Sequence, residues 1–591
     1  MRIEVFLAAG IALTACTTPL EGRVTLASFG DQNTDLFIAD ADGRNAKPFL
    51  SHPALDYNGS FSADGEWVVF TSERGGSADI WRARTDGSQL ARLTSDPAFD
   101  DQAVLSPDGR KLAFVSSRSG HADIWLYELE TRALHNLTDS AAGDFRPSWS
   151  QDGEWIAFSS DRDSTQPRPN FSTSHSTEIY LMRADGSSVG RLTNRNAIVG
   201  SPSWSADGKT IAVYEAGLDE YRNLVSPLRI GGTSQIATVD AASGDYRILT
   251  SGPGEKWSPR FLTDGRIAYA TGGTQPGLAI VGGAANPIGA ARAPAWSSSG
   301  QLIFHREMHP EWDPPHTGLA SLDKRYSLTR SGVFASYSPD GRHFVMNDGT
   351  AGIVHNSILR ANADGSGRAV LFTDRDKSAL APMWSPKGGR IAFALGRFFP
   401  GILGQPSTST ARIATIDTSG QDLQLLTPDG ENAGFPSWSP DESAIVYRVA
   451  SQGRSTLRII DVATKQARDV TTGAVNDNSP VWSPQGDFIA FTAKRGTDKD
   501  YDIYVIRPDG SGLARLTHGP GNQSHPAWSP DGEWIAFTSA NGGFKDEAAL
   551  HPFNPQPYGE IHVMRANGSD RRVLTDNQFE DGTPTWIPWR Q

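Results

Sequence analysis

The sequence predicts an all-β fold: tandem β-propellers of four-stranded blades, divided into two six-bladed rings. Three observations predict it. One phrase recurs along the chain, Trp-Ser-Pro-Asp-Gly, two further residues, then a short apolar run; it is fullest at Trp528-Ser529-Pro530-Asp531-Gly532 with Ile535-Ala536-Phe537. The Asp-Gly pairs at 64–65, 108–109 and 152–153 recur at one interval, since 108 − 64 and 152 − 108 both give 44 residues, about one propeller blade. Glycine (60) and proline (37) are plentiful, as a turn-dense β chain requires.

Each element follows from local chemistry. Pro-Asp-Gly is a reverse turn, because Pro presets its own φ and Gly accepts φ > 0. The β-rich stretches on either side make it a hairpin, strands A and B. A second hairpin, strands C and D, follows in Asp79-Ile80-Trp81 to Arg92-Leu93-Thr94, and recurs in Glu178-Ile179-Tyr180 to Leu192-Thr193 and Asp502-Ile503-Tyr504 to Leu516-Thr517. Other copies of the motif start at Trp149, Trp204, Trp384 and Trp482, with degenerate ones around Phe61, Leu105, Phe261, Trp296, Tyr337 and Trp438 and a half-copy ending at Trp586. A single ring holds about 4–8 blades, and about a dozen C–D hairpins therefore need two rings.

The chain enters mid-blade, with a B-like strand at Val24–Ala27, and ends on a lone A strand at Trp586. Closing the first ring with the A strand at Trp296, and opening the second with a B strand at Gln301–Phe304, gives propellers over 23–298 and 299–591. Seven plus five blades is the alternative, because the repeats between Thr271 and Arg330 are poorly formed. The motif tryptophans are read as core: each buries about 150–250 Å² where blade packs on blade.

The formal net charge of −13 argues against a nucleic-acid partner, which would need basic residues to neutralise phosphates. Residues 1–15 read as a signal peptide, with an apolar stretch from Val5 to Leu13 too short to span a bilayer. Cys16 is the sole cysteine, so no intramolecular disulfide can form. Leu13-Thr14-Ala15-Cys16 resembles a bacterial lipobox, which implies lipidation of Cys16, a tether over 16–22, and a membrane contact through the N-terminal lipid. Thr17 after the cysteine points to the outer membrane, with the protein facing the periplasm.

From about Arg23 to Trp586 the repeats resemble the WD40-like PD40 units of the TolB propeller and of the propellers of prolyl-oligopeptidase and dipeptidyl-peptidase-type enzymes. The motif is specific for fold and poorly specific for function. TolB has an α/β domain before its single propeller and the peptidases a hydrolase domain after theirs. Here strands follow the signal directly and the sequence stops at Gln591.

Chemistry was sought motif by motif. Gly186-Ser187-Ser188-Val189-Gly190 has the form of a nucleophile elbow but falls in a C–D turn, without the helix an elbow needs. Asp498-Lys499-Asp500-Tyr501-Asp502 alternates carboxylates but lacks the glycine and distal glutamate of an EF-hand, and reads as a B–C turn. His305, His309 and His316, with Glu307, Glu311, Asp313 and Trp312, form a dense imidazole–carboxylate segment and the candidate metal site. It matches no metalloenzyme spacing; the oligogalacturonate lyases, a related propeller family, resemble it in placing histidines around a metal. Lys545, Asp546, Glu547, His551, Phe553 and Tyr558, with Trp312, are the candidate binding residues, on loops of docking character. Long insertions fall repeatedly between B and C, at 161–177, 215–234, 305–317, 397–410 and 540–559, so the variable material decorates one face of each ring. The expectation is a non-catalytic, membrane-anchored propeller that binds an envelope protein or polysaccharide through its B–C loop faces, with no cofactor. The alternatives are a metal-assisted polysaccharide lyase or hydrolase in one channel, with calcium as a candidate cation, and an accessory propeller of a peptidase system.

Overall fold

A computed structural model describes residues 22–29, 34–164, 176–218, 232–272, 276–284, 286–289, 291–307, 318–319, 321–347, 356–397, 409–451, 453–472, 476–496, 498, 500–547, 559–577 and 580–588. The architecture is all-β, a series of mostly four-stranded antiparallel sheets. One blade illustrates the rest: Asp100–Leu105, Lys111–Ser116, Asp123–Glu128 and Leu134–Asn136 pair in sequence order. Its A–B turn is set by side chains. The Ser106 hydroxyl donates to Asp108 (2.6 Å) and accepts the Lys111 amide (2.9 Å), and Gly109 takes φ 69° to close the turn. The same bonds recur at Ser150–Asp152 and Ser529–Asp531, which is why the motif contains Ser and Asp as well as Pro and Gly.

The motif tryptophans tie blade to blade. Trp204 Nε1 donates to the Ser148 carbonyl (3.0 Å), Trp528 to Val481 (3.2 Å) and Trp586 to Ala527 (2.9 Å), each acceptor lying in the preceding inner strand. Inner strands pack in succession. In ring one the order is Asp56–Phe61, Asp100–Leu105, Asp144–Trp149, Ile198–Trp204, Lys256–Phe261 and Arg292–Trp296, which returns to the first. In ring two it is Val333–Tyr337, Ser378–Trp384, Ala433–Trp438, Asn476–Trp482, Gln523–Trp528 and Glu580–Trp586, again closing on the first.

The closing strands differ from expectation. Gln301–Glu307, expected to open ring two, lies in ring one between Arg292–Trp296 and Thr34–Asp40. It pairs with the latter from Thr34↔Glu307 to Asp40↔Gln301, and Phe37 stacks on Phe304 at 5.8 Å. Gly22–Phe29, expected beside Thr34–Asp40, lies instead in ring two, antiparallel to Glu580–Trp586 and parallel to Tyr326–Arg330. Both B-like strands are short, mostly apolar runs; Gly22 distinguishes them, because a Cβ there would meet the Trp586 ring at 2.3 Å. The chain thus crosses between the rings after Phe29 and again after Glu307. The weak repeats after Thr271 correspond to a three-stranded sheet, Lys256–Phe261, Ile267–Thr271 and Gly277–Ile280, with a single bridge from Leu278 to Asn286 beyond it.

Candidate functional site

Each inner strand carries a bulge whose first residue has positive φ, three residues before the strand's last residue, which is the motif aromatic in every blade but one, where it is Leu105. In ring one these are Asn58, Gln102, Arg146, Ser201, Ser258 and Ala293; in ring two Phe334, Ala381, Phe435, Ser479, His525 and Thr583. Left-handed backbone costs a non-glycine residue about 1–2 kcal/mol, and in Asn58, Arg146, Phe334, Phe435 and His525 it accompanies a side chain that reaches across its ring. Contacts between non-adjacent blades show that these side chains meet across the axis. Arg146 Nη1 donates to Asn58 Oδ1 (3.2 Å) in ring one, and Phe334 packs edge-on against both Phe435 and His525, at 5.7 Å each, in ring two.

The ring-one axis is polar and filled from ring two. The segment after strand Trp534–Ser539 enters it. Phe544 joins the ring-one hydrophobic core, and Lys545, Asp546 and Glu547 are buried. Arg146 donates to Asp546 through Nε (2.8 Å) and Nη2. Glu547 accepts from Ser159 Oγ (2.6 Å), Ser201 Oγ (2.8 Å) and the Ser201 amide, and Gln102 Nε2 donates to the Lys545 carbonyl (3.1 Å). Gly200 leaves the space: a Cβ there would lie 2.3 Å from the Glu547 carboxylate. Lys545 turns back to ring two, where its ammonium donates to Glu560, Asp576 and the Asn577 carbonyl. Asp576 also accepts from Ser117 Oγ (2.6 Å) of ring one. Burial opposes the charge on Arg146, but Asp546, Glu547 and Asp101 raise its pKa and hold it cationic. Burial, then the neighbouring Asp546, pushes the Glu547 carboxyl above its ordinary value.

The ring-two axis is aromatic. Phe334, Phe435 and His525 are half-buried, and Arg448 lies 5.5 Å over the Phe435 ring. Burial lowers the pKa of Arg448 to about 10 and that of His525 to about 4, so this histidine is neutral. Its Nδ1 is buried without a hydrogen-bond partner.

The expected site residues fall as follows. Lys545, Asp546 and Glu547, expected on a surface loop, are instead consumed in the contact between the rings, because buried carboxylates need the partners that ring one provides. His305 is buried, and its Nδ1 accepts the Asn58 amide (3.2 Å), so that nitrogen supports a ring-one bulge. Cys16, His309, Trp312, His316, His551, Phe553 and Tyr558 lie outside the described residues, as does most of each long B–C insertion. Among the described residues no group of three or more His, Cys, Asp or Glu side chains is arranged to hold a metal ion. Ser188 sits in a turn at φ 57°, leading into the strand Gly190–Arg191. Asp498 accepts from Tyr504 Oη and Arg515 Nη1 (3.0 Å each), Asp500 from the Gly521 amide (3.0 Å) and Asp502 from Thr517 Oγ1 (2.8 Å).

A repeated clamp was not read from the sequence. Asp56–Arg74, Asp100–Arg118, Asp144–Arg162 and Asp477–Arg495 are ion pairs with one spacing, 18 residues, and each arginine lies over two aromatic rings. The fixed spacing was the available signal.

The TolB beta propeller domain family matches residues 4–109, 97–216, 342–499 and 398–546, together more than half of the chain. A "Tol-Pal system protein TolB" from Alcanivorax borkumensis is 29% identical over 169 residues, covering 25% of this chain and 39% of the relative. A "Protein TolB homolog" from Chlorobium luteolum is 33% identical over 258 residues, 38% of this chain and 55% of the relative. The matches therefore span between about two fifths and a little over half of these relatives' length. The solved structure of TolB from Acinetobacter baumannii aligns at 14% identity and a TM-score of 0.28, covering 83% of this chain and 82% of that one.

Proposed function

The chain belongs to the TolB beta propeller domain family, and from that premise we propose that it is an envelope-associated, non-catalytic propeller that binds a protein or an envelope polymer. The observation that carries this reading is the aromatic cluster on the ring-two axis. Three half-buried rings, Phe334, Phe435 and His525, meet there beside the desolvated guanidinium of Arg448. Partly desolvated aromatic and arginine side chains are the residues that dominate binding energy at protein interfaces. Relatives named for the Tol-Pal system support a protein partner in the cell envelope. In this proposal the partner is bound through the B–C loop faces, and a lipid on Cys16 holds the protein at the outer membrane, facing the periplasm.

The test is affinity capture from native envelope by the protein beginning at Thr17, in parallel with Phe435→Ala, each captured component then being purified and rebound. A purified component that binds the parent at least tenfold more tightly than Phe435→Ala supports the reading. Binding that is equal for the two folded proteins removes ring two as the site.

A further inference from the structure

The ring-one contact has the form of a receptor with its ligand already seated. Within the segment the Glu547 amide donates to Asp546 Oδ1 (2.8 Å); the side-chain donors to Asp546 and Glu547, Arg146, Ser159 and Ser201, and the Ser201 amide belong to ring one, roughly 340–400 residues away in the chain. The reading is position by position. Phe544 enters the apolar core and Gln102 takes the Lys545 main-chain carbonyl. Arg146 takes the Asp546 carboxylate through two nitrogens, and Ser159 and Ser201 take that of Glu547 above the space left by Gly200. Ring one meets the Lys545 side chain only through the face of Phe99, 5.5 Å from the ammonium, whose hydrogen bonds go to Glu560, Asp576 and Asn577 of ring two. Ring one therefore recognises an apolar residue, any residue, Asp and Glu in succession.

This site cannot be left empty without cost. Withdrawing the segment would leave Arg146, with a side chain only 9% exposed, without the carboxylate that its Nε and Nη2 both meet, Asp101 being the charge left beside it, and would take from Ser159, Ser201 and Gln102 the acceptors that the segment supplies. Exchange of one acidic segment for another keeps every donor satisfied, whereas simple release does not. The seated segment also has the advantage of being tethered, which gives it a high effective concentration over any free competitor.

We infer that the ring-one channel mouth is a binding site for acidic peptide segments of the form apolar–any–Asp–Glu, occupied in the resting protein by Phe544–Glu547 and open to a partner that presents the same chemistry. The site is separate from the aromatic cluster of ring two, and its test does not depend on that reading.

The probe is a fluorescent peptide, acetyl-Gly-Phe-Lys-Asp-Glu-Ala-amide, titrated by anisotropy into the full chain and into the double variant Asp546→Ala/Glu547→Ala. The variant is expected to bind the probe at least tenfold more tightly than the parent. Adding Arg146→Met, or replacing the probe's Asp and Glu by Asn and Gln, is expected to abolish that binding. A variant that melts as a folded protein and does not bind overturns the inference. If the variant does not fold, hydrogen exchange of the parent with saturating peptide decides: faster exchange across 544–547 supports displacement, and unchanged exchange at millimolar peptide overturns it.

Discussion

His525→Phe tests the account of the ring-two axis most directly. His525 sits at φ 52°, and Phe334 and Phe435 occupy the equivalent bulges at 53° and 54°, so this backbone already accepts phenylalanine. Burial lowers the histidine pKa to about 4, from an unfolded value of about 6.5. The unfolded chain therefore takes up a proton first as pH falls. The histidine's stabilising contribution is complete above about pH 6.5 and erodes as pH falls toward about 4. At about 1.4 kcal/mol per unit, the difference is about 3 kcal/mol, or roughly 6–12 °C in the melting temperature of a ring this size. The variant should lose this acid sensitivity. At neutral pH it should also gain about 1–2 kcal/mol, because the unpartnered Nδ1 is replaced by carbon. Calorimetric melting of parent and variant from pH 4 to 7 measures both effects, and the difference curve cancels every other titrating group. Parallel curves across that range would refute the assignment of a neutral, desolvated histidine at the axis.

Gly200→Ala should destabilise the protein by about 2 kcal/mol or more, since its Cβ meets the Glu547 carboxylate; adding Glu547→Ala should recover part of that loss in thermal melts. Trp204→Phe removes the hydrogen bond to the Ser148 carbonyl and should cost about 1 kcal/mol in denaturant titration with little change in the far-ultraviolet spectrum. Arg118→Ala leaves Asp100 buried without its partner and should cost about 3–5 kcal/mol, whereas Asp100→Asn/Arg118→Met should cost clearly less. Cys16→Ser should abolish incorporation of radiolabelled fatty acid and move the protein from the membrane fraction to the soluble one.

The blade was legible because its determinants are local. Ser106, Asp108 and Gly109 make one turn within a few residues, and the same letters recur wherever that turn recurs. The closing strands were not legible, because Val24–Ala27 and Gln301–Phe304 are both short, mostly apolar runs whose place is decided by what lies opposite them, Trp586 in one case and Thr34–Asp40 in the other. Lys545, Asp546 and Glu547 belong to a long insertion of docking character and read as surface, as three ionisable residues in a row ordinarily are. Their burial depends on Arg146, Ser159 and Ser201, far away in the chain, and no local pattern announces that.

The axial residues show where this repeat leaves room for function. Turn, tryptophan and ion-pair positions are each bound to a neighbouring blade or turn, so a change there is felt by the fold. The first bulge position of the inner strand differs: its backbone is held by the bulge, while the side chains of Asn58, Arg146, Phe334, Phe435 and His525 reach across the ring rather than into a blade. It can therefore vary without disturbing blade packing, and it does, from Asn58, Gln102 and Arg146 in ring one to Phe334, Phe435 and His525 in ring two. The same backbone device thus yields a charged, hydrogen-bonding axis in one ring and an aromatic one in the other. A single chain consequently carries two recognition chemistries on a common scaffold, one suited to carboxylates and one to apolar surface.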